Sequence, residues 1–101
     1  MDFSFENDNA FGVVEKIKPP SDYKVVLLND DYTTKDFVVD VLREVFHKSE
    51  TEAVQIMESV HKTGSGIAGI YSYDIAHSKA RITMERARKE GFPLQCRIEK
   101  A

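Results

Sequence analysis

Apolar and polar residues alternate with two different periods along residues 21–101, and the changes of period divide this region into successive elements. Residues 23–28, Tyr-Lys-Val-Val-Leu-Leu, are rich in β-branched and aliphatic side chains, which favours a mostly buried strand. Apolar pairs then recur at helical spacing at Phe37-Val38, Val41-Leu42 and Val45-Phe46. Because polar residues occupy the other side, this spacing predicts an amphipathic helix after the strand.

A second helix is predicted to begin at Ser49, because Ser49 and Glu52 have the spacing of a capping box. The helix runs through Ala53, Ile56, Met57 and Val60 to Gly64. Met57, Val60 and His61 share one of its faces, at offsets of three and four. We therefore expect an apolar wall with a polar side chain at its border near the end of this helix.

The remaining residues predict a short strand, a third helix and a last strand. Gly66 and Gly69 interrupt the strand at 67–73 or border it, which indicates a close backbone approach or a bulge. Asp74 is expected to cap the third helix, which ends at Gly91. Its inner face is predicted to comprise Ile75, Ala76, Ala80, Thr83, Met84 and Ala87. Residues 94–99 alternate as a half-exposed strand does.

This order, β-α-α-β-α-β, predicts one small α+β domain over residues 21–101. Three helices are expected to pack on one face of a three-stranded antiparallel sheet. Residues 1–20 have neither a helical nor a strand period and finish at Pro19-Pro20, so they are predicted to form a flexible N-terminal arm.

A polar turn, Asn29-Asp30-Asp31-Tyr32-Thr33-Thr34, follows the first predicted strand directly. Two adjacent carboxylates beside a core strand repel each other, which indicates a position where a cation binds. The same residue types also end strands and cap helices, so turn and capping chemistry is the alternative interpretation. An apolar helix face bordered by His61 favours the first interpretation, because the two together would form a small pocket with a charged rim.

Composition restricts the class of protein. The 101 residues fit one domain, and a formal net charge of -3 gives no electrostatic reason to expect nucleic acid or an anionic membrane as a partner. Cys96 is the only cysteine, so no intramolecular disulfide can form, and a reducing, cytoplasmic setting is predicted. The sequence contains no secretion signal and no apolar stretch long enough to span a bilayer.

Two other classes of function are less well supported. An enzyme could use His61 with Asp30 or Asp31 as an acid-base pair. The sequence lacks a serine nucleophile motif, a metal-spaced cluster and a phosphate-binding glycine loop, so we predict no catalytic residue, no metal and no cofactor. A nucleic-acid module could use the basic face from Arg81 to Lys89, but no aromatic residues are interleaved there.

Several motifs in combination carry a family resemblance. They are the Asn-Asp-Asp-Tyr-Thr run after a strand, residues 37–42, Met57 with Val60-His61, Gly69, Pro93-Leu94-Gln95-Cys96 and Glu99-Lys100-Ala101. With these motifs, residues 19–101 resemble the ClpS family, the adaptors of the Clp ATP-dependent protease.

The resemblance implies recognition of substrates by their N-terminal residue. Family members bind a free α-amino group and a bulky apolar side chain, Leu, Phe, Tyr or Trp, and deliver the substrate to the ClpA-type AAA+ unfoldase of the ClpAP protease. Asn29, Asp30 and His61 are the implied acceptors for the ammonium, beside Asp31 in the acidic turn. His61 must be neutral to accept, so its protonation should weaken binding.

The resemblance also implies a hydrophobic pocket and an unfoldase contact, and the chain is expected to be a monomer. The pocket positions are Leu27, Leu28, Thr33, Lys35, Val38, Met57, Val60 and Leu94. The family often carries Met at the position of Lys35, where it narrows the pocket, so a relaxed or shifted residue preference is expected here. Asp74 and Lys79 are at positions that touch the N-terminal domain of the unfoldase. A modulator that binds the unfoldase with altered or absent substrate recognition is the alternative.

Overall fold

The computed structural model describes residues 21–101 and contains six elements in the predicted order. They are β1 (Asp22–Leu28), α1 (Lys35–Glu44), α2 (Glu50–Thr63), β2 (Ser65–Ser72), α3 (Tyr73–Lys89) and β3 (Gln95–Lys100). The flexible arm predicted for residues 1–20 lies outside the described residues, so it remains a prediction.

The three strands form one antiparallel sheet, as predicted, and their order is β2-β1-β3, with β1 in the centre. A bulge interrupts the β1–β2 pairing, because Val25 pairs with Gly69 and Val26 pairs with Ile67, which leaves Ala68 as the extra residue. A side chain at Gly69 would overlap the Tyr71 ring. The strand therefore has the bulge that its glycines indicated, with Ala68 as the extra residue, while the group close to Gly69 is a side chain and not a second backbone.

The core lies between the sheet and the helices. Helix α3 contacts all three strands, while α2 packs on β2 and α1 packs on α2. Val25 and Leu27 of β1 are fully buried and join the apolar faces of α1 and α2 in one cluster. Helix α1 ends earlier than the apolar pattern suggested, at Glu44, yet Val45 and Phe46 remain buried in that cluster.

Local capping chemistry fixes the ends of α1 and α2. The Thr34 hydroxyl caps α1 by accepting from the Phe37 amide at 3.1 Å. The capping box predicted for Ser49 and Glu52 is present at the start of α2. Gly64 ends α2 with a φ of 94°, in the left-handed region that glycine adopts without strain. These ends position the last turn of α2 beside the segment between β1 and α1.

Two predictions for α3 are wrong. Asp74 is not the cap, because β2 continues to Ser72 without a loop and Ser72 occupies the N-cap position, leaving Asp74 in the first turn. Ile75 does not belong to the inner face, since its side chain is 49% exposed. The buried stripe comprises Ala76, Ala80, Thr83 and Ala87. These residues repeat at offsets of four, three and four, and Ile75 falls one position, about 100°, from that stripe.

Candidate functional site

The acidic turn at residues 29–34 joins β1 to α1 and is tied to the end of α2. The backbone N–H of Asn29 donates a hydrogen bond of 3.0 Å to the Gly64 carbonyl. Because Gly64 is the C-cap of α2 and His61 lies in the last turn of that helix, this bond brings the acidic turn and His61 to one end of the molecule. The two elements singled out in the sequence are thus neighbours.

The Asp30 carboxylate organises the turn. Its Oδ1 accepts from the amides of Tyr32 at 2.8 Å and Thr33 at 2.7 Å, and its Oδ2 accepts from the Thr33 hydroxyl at 2.7 Å. Turn chemistry, the alternative interpretation of this residue, therefore occupies three of the roughly four acceptor positions of a carboxylate. One position on Oδ2 is left for a ligand.

The charge of Asp30 is maintained by its surroundings. Desolvation of this half-buried carboxyl raises its pKa, but hydrogen bonds from the Thr33 side chain, the Thr33 backbone and the Tyr32 backbone lower it, as does the charge of Arg88. The lowering causes prevail, so the pKa of Asp30 lies below its ordinary value of 3.8. Asp30 is consequently an anion at neutral pH.

A cavity of about 380 Å³ opens between the acidic turn, α1 and α2. This volume is at the small end of the range of about 300 to 1,000 Å³ that is typical of ligand pockets. Ten residues line it: Asn29, Asp30, Asp31, Thr33, Thr34, Lys35, Val38, Met57, Val60 and His61. Nine of them are predicted site residues, and only Thr34 was missed.

The cavity has an apolar floor and a polar rim. Val38 of α1 and Met57 and Val60 of α2 form the floor, and each is less than a tenth exposed. The rim carries the exposed side chains of Asn29, Asp31, Thr34, Lys35 and His61. The geometry suits a ligand with one bulky apolar group and a hydrogen-bonding cation next to it.

Three predicted pocket residues do not line the cavity. Leu27 is fully buried in the core, Leu94 is 1% exposed, and Leu28 is the half-buried last residue of β1. Thr34, which sequence reasoning missed, reaches the rim because the N-cap of α1 stands there. Its predicted capping role was the signal that could have placed it.

Asp74 and Lys79 lie on α3 and do not line this cavity. Lys79 is partly buried, and its Nζ donates a 2.6 Å hydrogen bond to the Val45 carbonyl at the C-cap of α1. The same ammonium is 5.3 Å from the centre of the Tyr71 ring, within the range of a cation–π contact. Asp74 is exposed. Lys79 therefore has a structural role that the sequence did not reveal.

Other chemistry finds little support in the described region. Among residues 21–101 no cluster of three His, Cys, Asp or Glu side chains could hold a metal ion. Burial raises the pKa of the Cys96 thiol to about 12, although the charge of Arg88 opposes it, so Cys96 is a poor nucleophile. No helix in this part of the chain has the length and hydropathy of a membrane span.

Comparison with known proteins gives consistent matches. The sequence profile described as "ATP-dependent Clp protease adaptor protein ClpS" matches residues 18–97. The ClpS adapter of Myxococcus xanthus is 53% identical over 85 residues, which cover 84% of this chain and 79% of that protein. The ClpS adapter of Herminiimonas arsenicoxydans is also 53% identical over 85 residues, covering 84% and 83%.

A solved structure extends the likeness to three dimensions. The structure of Agrobacterium tumefaciens ClpS2 bound to L-phenylalaninamide is similar to this chain, with a TM-score of 0.79 and 40% sequence identity. The match covers 82% of this chain and 100% of that one. Sequence and fold therefore lead to the same set of relatives.

Proposed function

Because this chain belongs to the ClpS family of ATP-dependent Clp protease adaptors, we propose that it binds proteins through a bulky hydrophobic N-terminal residue and delivers them to a ClpA-type unfoldase for degradation. Members of this family are adaptors and not enzymes, in agreement with the sequence prediction. One observation carries the proposal: a cavity with an apolar floor has hydrogen-bond acceptors among its other lining residues.

The acceptors fit a free α-amino group. An ammonium carries three N–H donors and a positive charge. Asn29 offers its amide oxygen, Asp30 its remaining Oδ2 position, and neutral His61 one ring nitrogen, and all three residues line the cavity. Acetylation of the amine removes the charge and two donors, so acceptors that the ligand has desolvated would be left without partners.

The floor fits the side chain that follows the amine. Burying a Leu or Phe side chain against Val38, Met57 and Val60 would contribute roughly 1.5 to 3 kcal/mol. The Agrobacterium relative is bound to L-phenylalaninamide, which presents the free amine and aromatic ring of an N-terminal Phe. This chain shares that relative's fold, and we assign the same class of ligand to its cavity.

Lys35 distinguishes this cavity from that of family members that carry Met at this position. Its side chain is exposed and lines the cavity, so its methylenes can lie along the wall while the ammonium stays in water. We expect wider tolerance of β-branched N-terminal residues than a Met would give, and attraction of an acidic second residue. Replacing Lys35 with Met should reduce binding of peptides that begin with Ile relative to those that begin with Phe.

Fluorescence anisotropy with three labelled peptides tests the proposal. One peptide begins with free Phe, one is its N-acetylated form, and one begins with Ile. We expect acetylation to weaken binding by at least about tenfold, since each unpaired polar group costs about 1 to 3 kcal/mol. Equal binding of the free and acetylated peptides would refute amine recognition.

The partner is proposed to be the N-terminal domain of a ClpA-type unfoldase, contacted through Asp74 and Lys79. Asp74 is exposed on the first turn of α3, and Lys79 lies on the same helix. A monomer in the cytoplasm, with neither nucleic acid nor a membrane as partner, completes the proposal. If the chain bound the unfoldase but no N-terminal peptide, the alternative of a modulator with altered recognition, favoured by Lys35, would replace it.

A further inference from the structure

A second depression borders the proposed amine-binding cavity. We call it the second groove; its volume is about 500 Å³. It is lined by Thr34, Asp36, Phe37, Asp40, Arg86, Lys89, Glu90 and Phe92. Thr34 also lines the first cavity, so the two spaces share one wall at the start of α1. A peptide that extended from the first cavity past Thr34 would therefore reach the second groove.

Two aromatic rings form the apolar part of the second groove. Phe37 of α1 and Phe92 of the α3–β3 loop meet edge to face with their ring centres 5.2 Å apart. The loop is held in place, because the Phe92 amide donates to the Ala87 carbonyl at 2.8 Å and Arg88 Nη1 donates to the Phe92 carbonyl at 3.0 Å. The groove is therefore already formed without a ligand.

The charges around the second groove leave an excess of carboxylates. Arg86 is paired with Glu44. The charges of Lys89 and Glu90 offset each other in the net charge of the groove. Asp36 and Asp40 remain, and neither forms an ion pair with another residue in the described range 21–101. They lie four positions apart on one face of α1, where like charges repel each other. A cation between them would relieve this repulsion.

We propose that the second groove binds an Arg or Lys side chain of the substrate, a few residues after its N-terminal residue. This inference rests on the proposed function of the first cavity. A guanidinium fits best, because it can stack on Phe37 or Phe92 while it donates to Asp36 or Asp40. An extended chain advances about 3.3 Å per residue, so positions 3 to 5 are within reach of a groove that shares a wall with the first cavity.

The proposal defines a substrate class more narrowly than the N-terminal residue does. Lys35 lines the first cavity and Asp36 lines the second groove, so the charge changes sign between these two neighbouring residues. The favoured substrate carries a bulky apolar residue first, an acidic residue second and a basic residue at one of positions 3 to 5.

Peptides with free N-terminal Phe test this inference by fluorescence anisotropy. The residues after Phe are alanine, except for a single Arg or a single Glu placed in turn at each of positions 2 to 5. The Phe-starting peptide with alanine at all of these positions is called the all-alanine peptide. We expect Arg to tighten binding about threefold to fivefold at one of positions 3 to 5, the range of an exposed ion pair, and the gain to shrink at high salt. Glu at the same position should weaken binding.

Three variants locate the effect. Asp40→Asn should abolish the Arg preference and leave binding of the all-alanine peptide unchanged, because Asp40 does not line the first cavity. Lys89→Gln should enlarge the preference by removing a competing cation. Asp74→Asn, a matched charge change on α3 outside both spaces, should preserve it.

The outcomes separate this inference from the proposed function. Binding of the all-alanine peptide without any Arg preference at positions 3 to 5 would overturn the second-groove proposal and leave amine recognition intact. An Arg preference that survived replacement of both Asp36 and Asp40 by Asn would also overturn it. Failure of the all-alanine peptide itself to bind would overturn both.

Discussion

Two charged regions drew attention in the sequence, and the fold uses them in different ways. At the rim of the first cavity, the side chains of Asn29 and His61 are exposed, and the carboxylate of Asp30 retains one acceptor position. On α3, the Lys79 ammonium is engaged by the Val45 carbonyl and lies over the Tyr71 ring. Within residues 21–101, the first region has acceptors without partners in the lining of a cavity, whereas the charge of Lys79 in the second region already has contacts within the domain.

The difference teaches how to interpret a charged residue. A polar group whose partners lie within the domain contributes to stability, while one that converges with others on a concave, apolar surface is available for binding. Asp30 has both properties, because its carboxylate holds the turn with three hydrogen bonds and the residue also lines the cavity. The predictions below test this division, in order of decreasing effect.

The largest effect is expected for Asp30→Ala, which removes the proposed acceptor for the amine and all three hydrogen bonds of the turn. Binding of a Phe peptide should fall by at least about 30-fold, since truncating one partner of a hydrogen-bonded charge pair costs about 2 kcal/mol or more. Anisotropy measures the binding, and urea unfolding should show a loss of stability. Asp31→Ala is the matched control; it should change stability little, and an equal loss of stability would contradict the role of Asp30.

His61→Ala should separate binding from stability. The residue is exposed and lines the cavity, so its loss should weaken peptide binding by about tenfold, in line with a lost hydrogen bond to a charged group, without lowering the free energy of unfolding by more than about 0.5 kcal/mol. Lys62→Ala changes the neighbouring exposed residue and should leave binding intact. Unchanged binding by the His61 variant would remove it from the amine site.

Lys79→Met should give the opposite result. It keeps much of the side-chain bulk but removes the donor to the Val45 carbonyl, so the free energy of unfolding should fall by about 1 kcal/mol while peptide binding stays the same. Urea unfolding and anisotropy measure the two quantities. Lys62→Met, at an exposed position, serves as the control. A Lys79 variant as stable as the wild type would contradict a structural role for this ammonium.

Protonation of Asp30 should reduce the stability contributed by its turn only below about pH 4. The pKa of Asp30 is lowered in the folded state, so the stability from its turn is fully present above the unfolded pKa, near 3.8, and is lost as the pH falls through the lower folded value. The difference in unfolding free energy between the wild type and Asp30→Asn should be constant above about pH 5 and shrink below pH 4. A difference that began to shrink near pH 6 would contradict the lowered pKa.

Asp74→Ala should have the smallest effect on the domain. Asp74 is exposed and is not the cap of α3, so the free energy of unfolding should change by less than about 0.5 kcal/mol. If Asp74 contacts the unfoldase, delivery of a Phe-starting substrate in a degradation assay should slow while peptide binding is retained. A loss of stability typical of a missing cap would contradict its placement.

The sequence predicted the order of elements well because their signals are local. The capping box at Ser49 and Glu52 and the glycine end of α2 require only a few neighbouring residues, and both are present. The start of α3 was misplaced because Ser72 and Asp74 are both good caps, and only the register of β2 decides between them.

The site was predicted only in part, because some of its contacts join residues that lie far apart along the chain. The polar turn, the face of the second helix and the resemblance together named nine of the ten residues that line the cavity. Leu27 and Leu94 were included although they lie beneath it, because a sequence cannot distinguish a pocket wall from the core behind it. The bond from Lys79 to Val45 joins residues 34 positions apart, and no local pattern predicts it.

Nuclear magnetic resonance titration of the full ¹⁵N-labelled chain with a Phe-starting peptide tests the central claim most directly. The account predicts amide shifts concentrated in residues 29–35 and 57–61, which contain nine of the ten residues that line the cavity, and none of comparable size when the same peptide is N-acetylated. Shifts centred on α3 around Asp74 and Lys79, or an equal response to the acetylated peptide, would contradict amine recognition in this cavity.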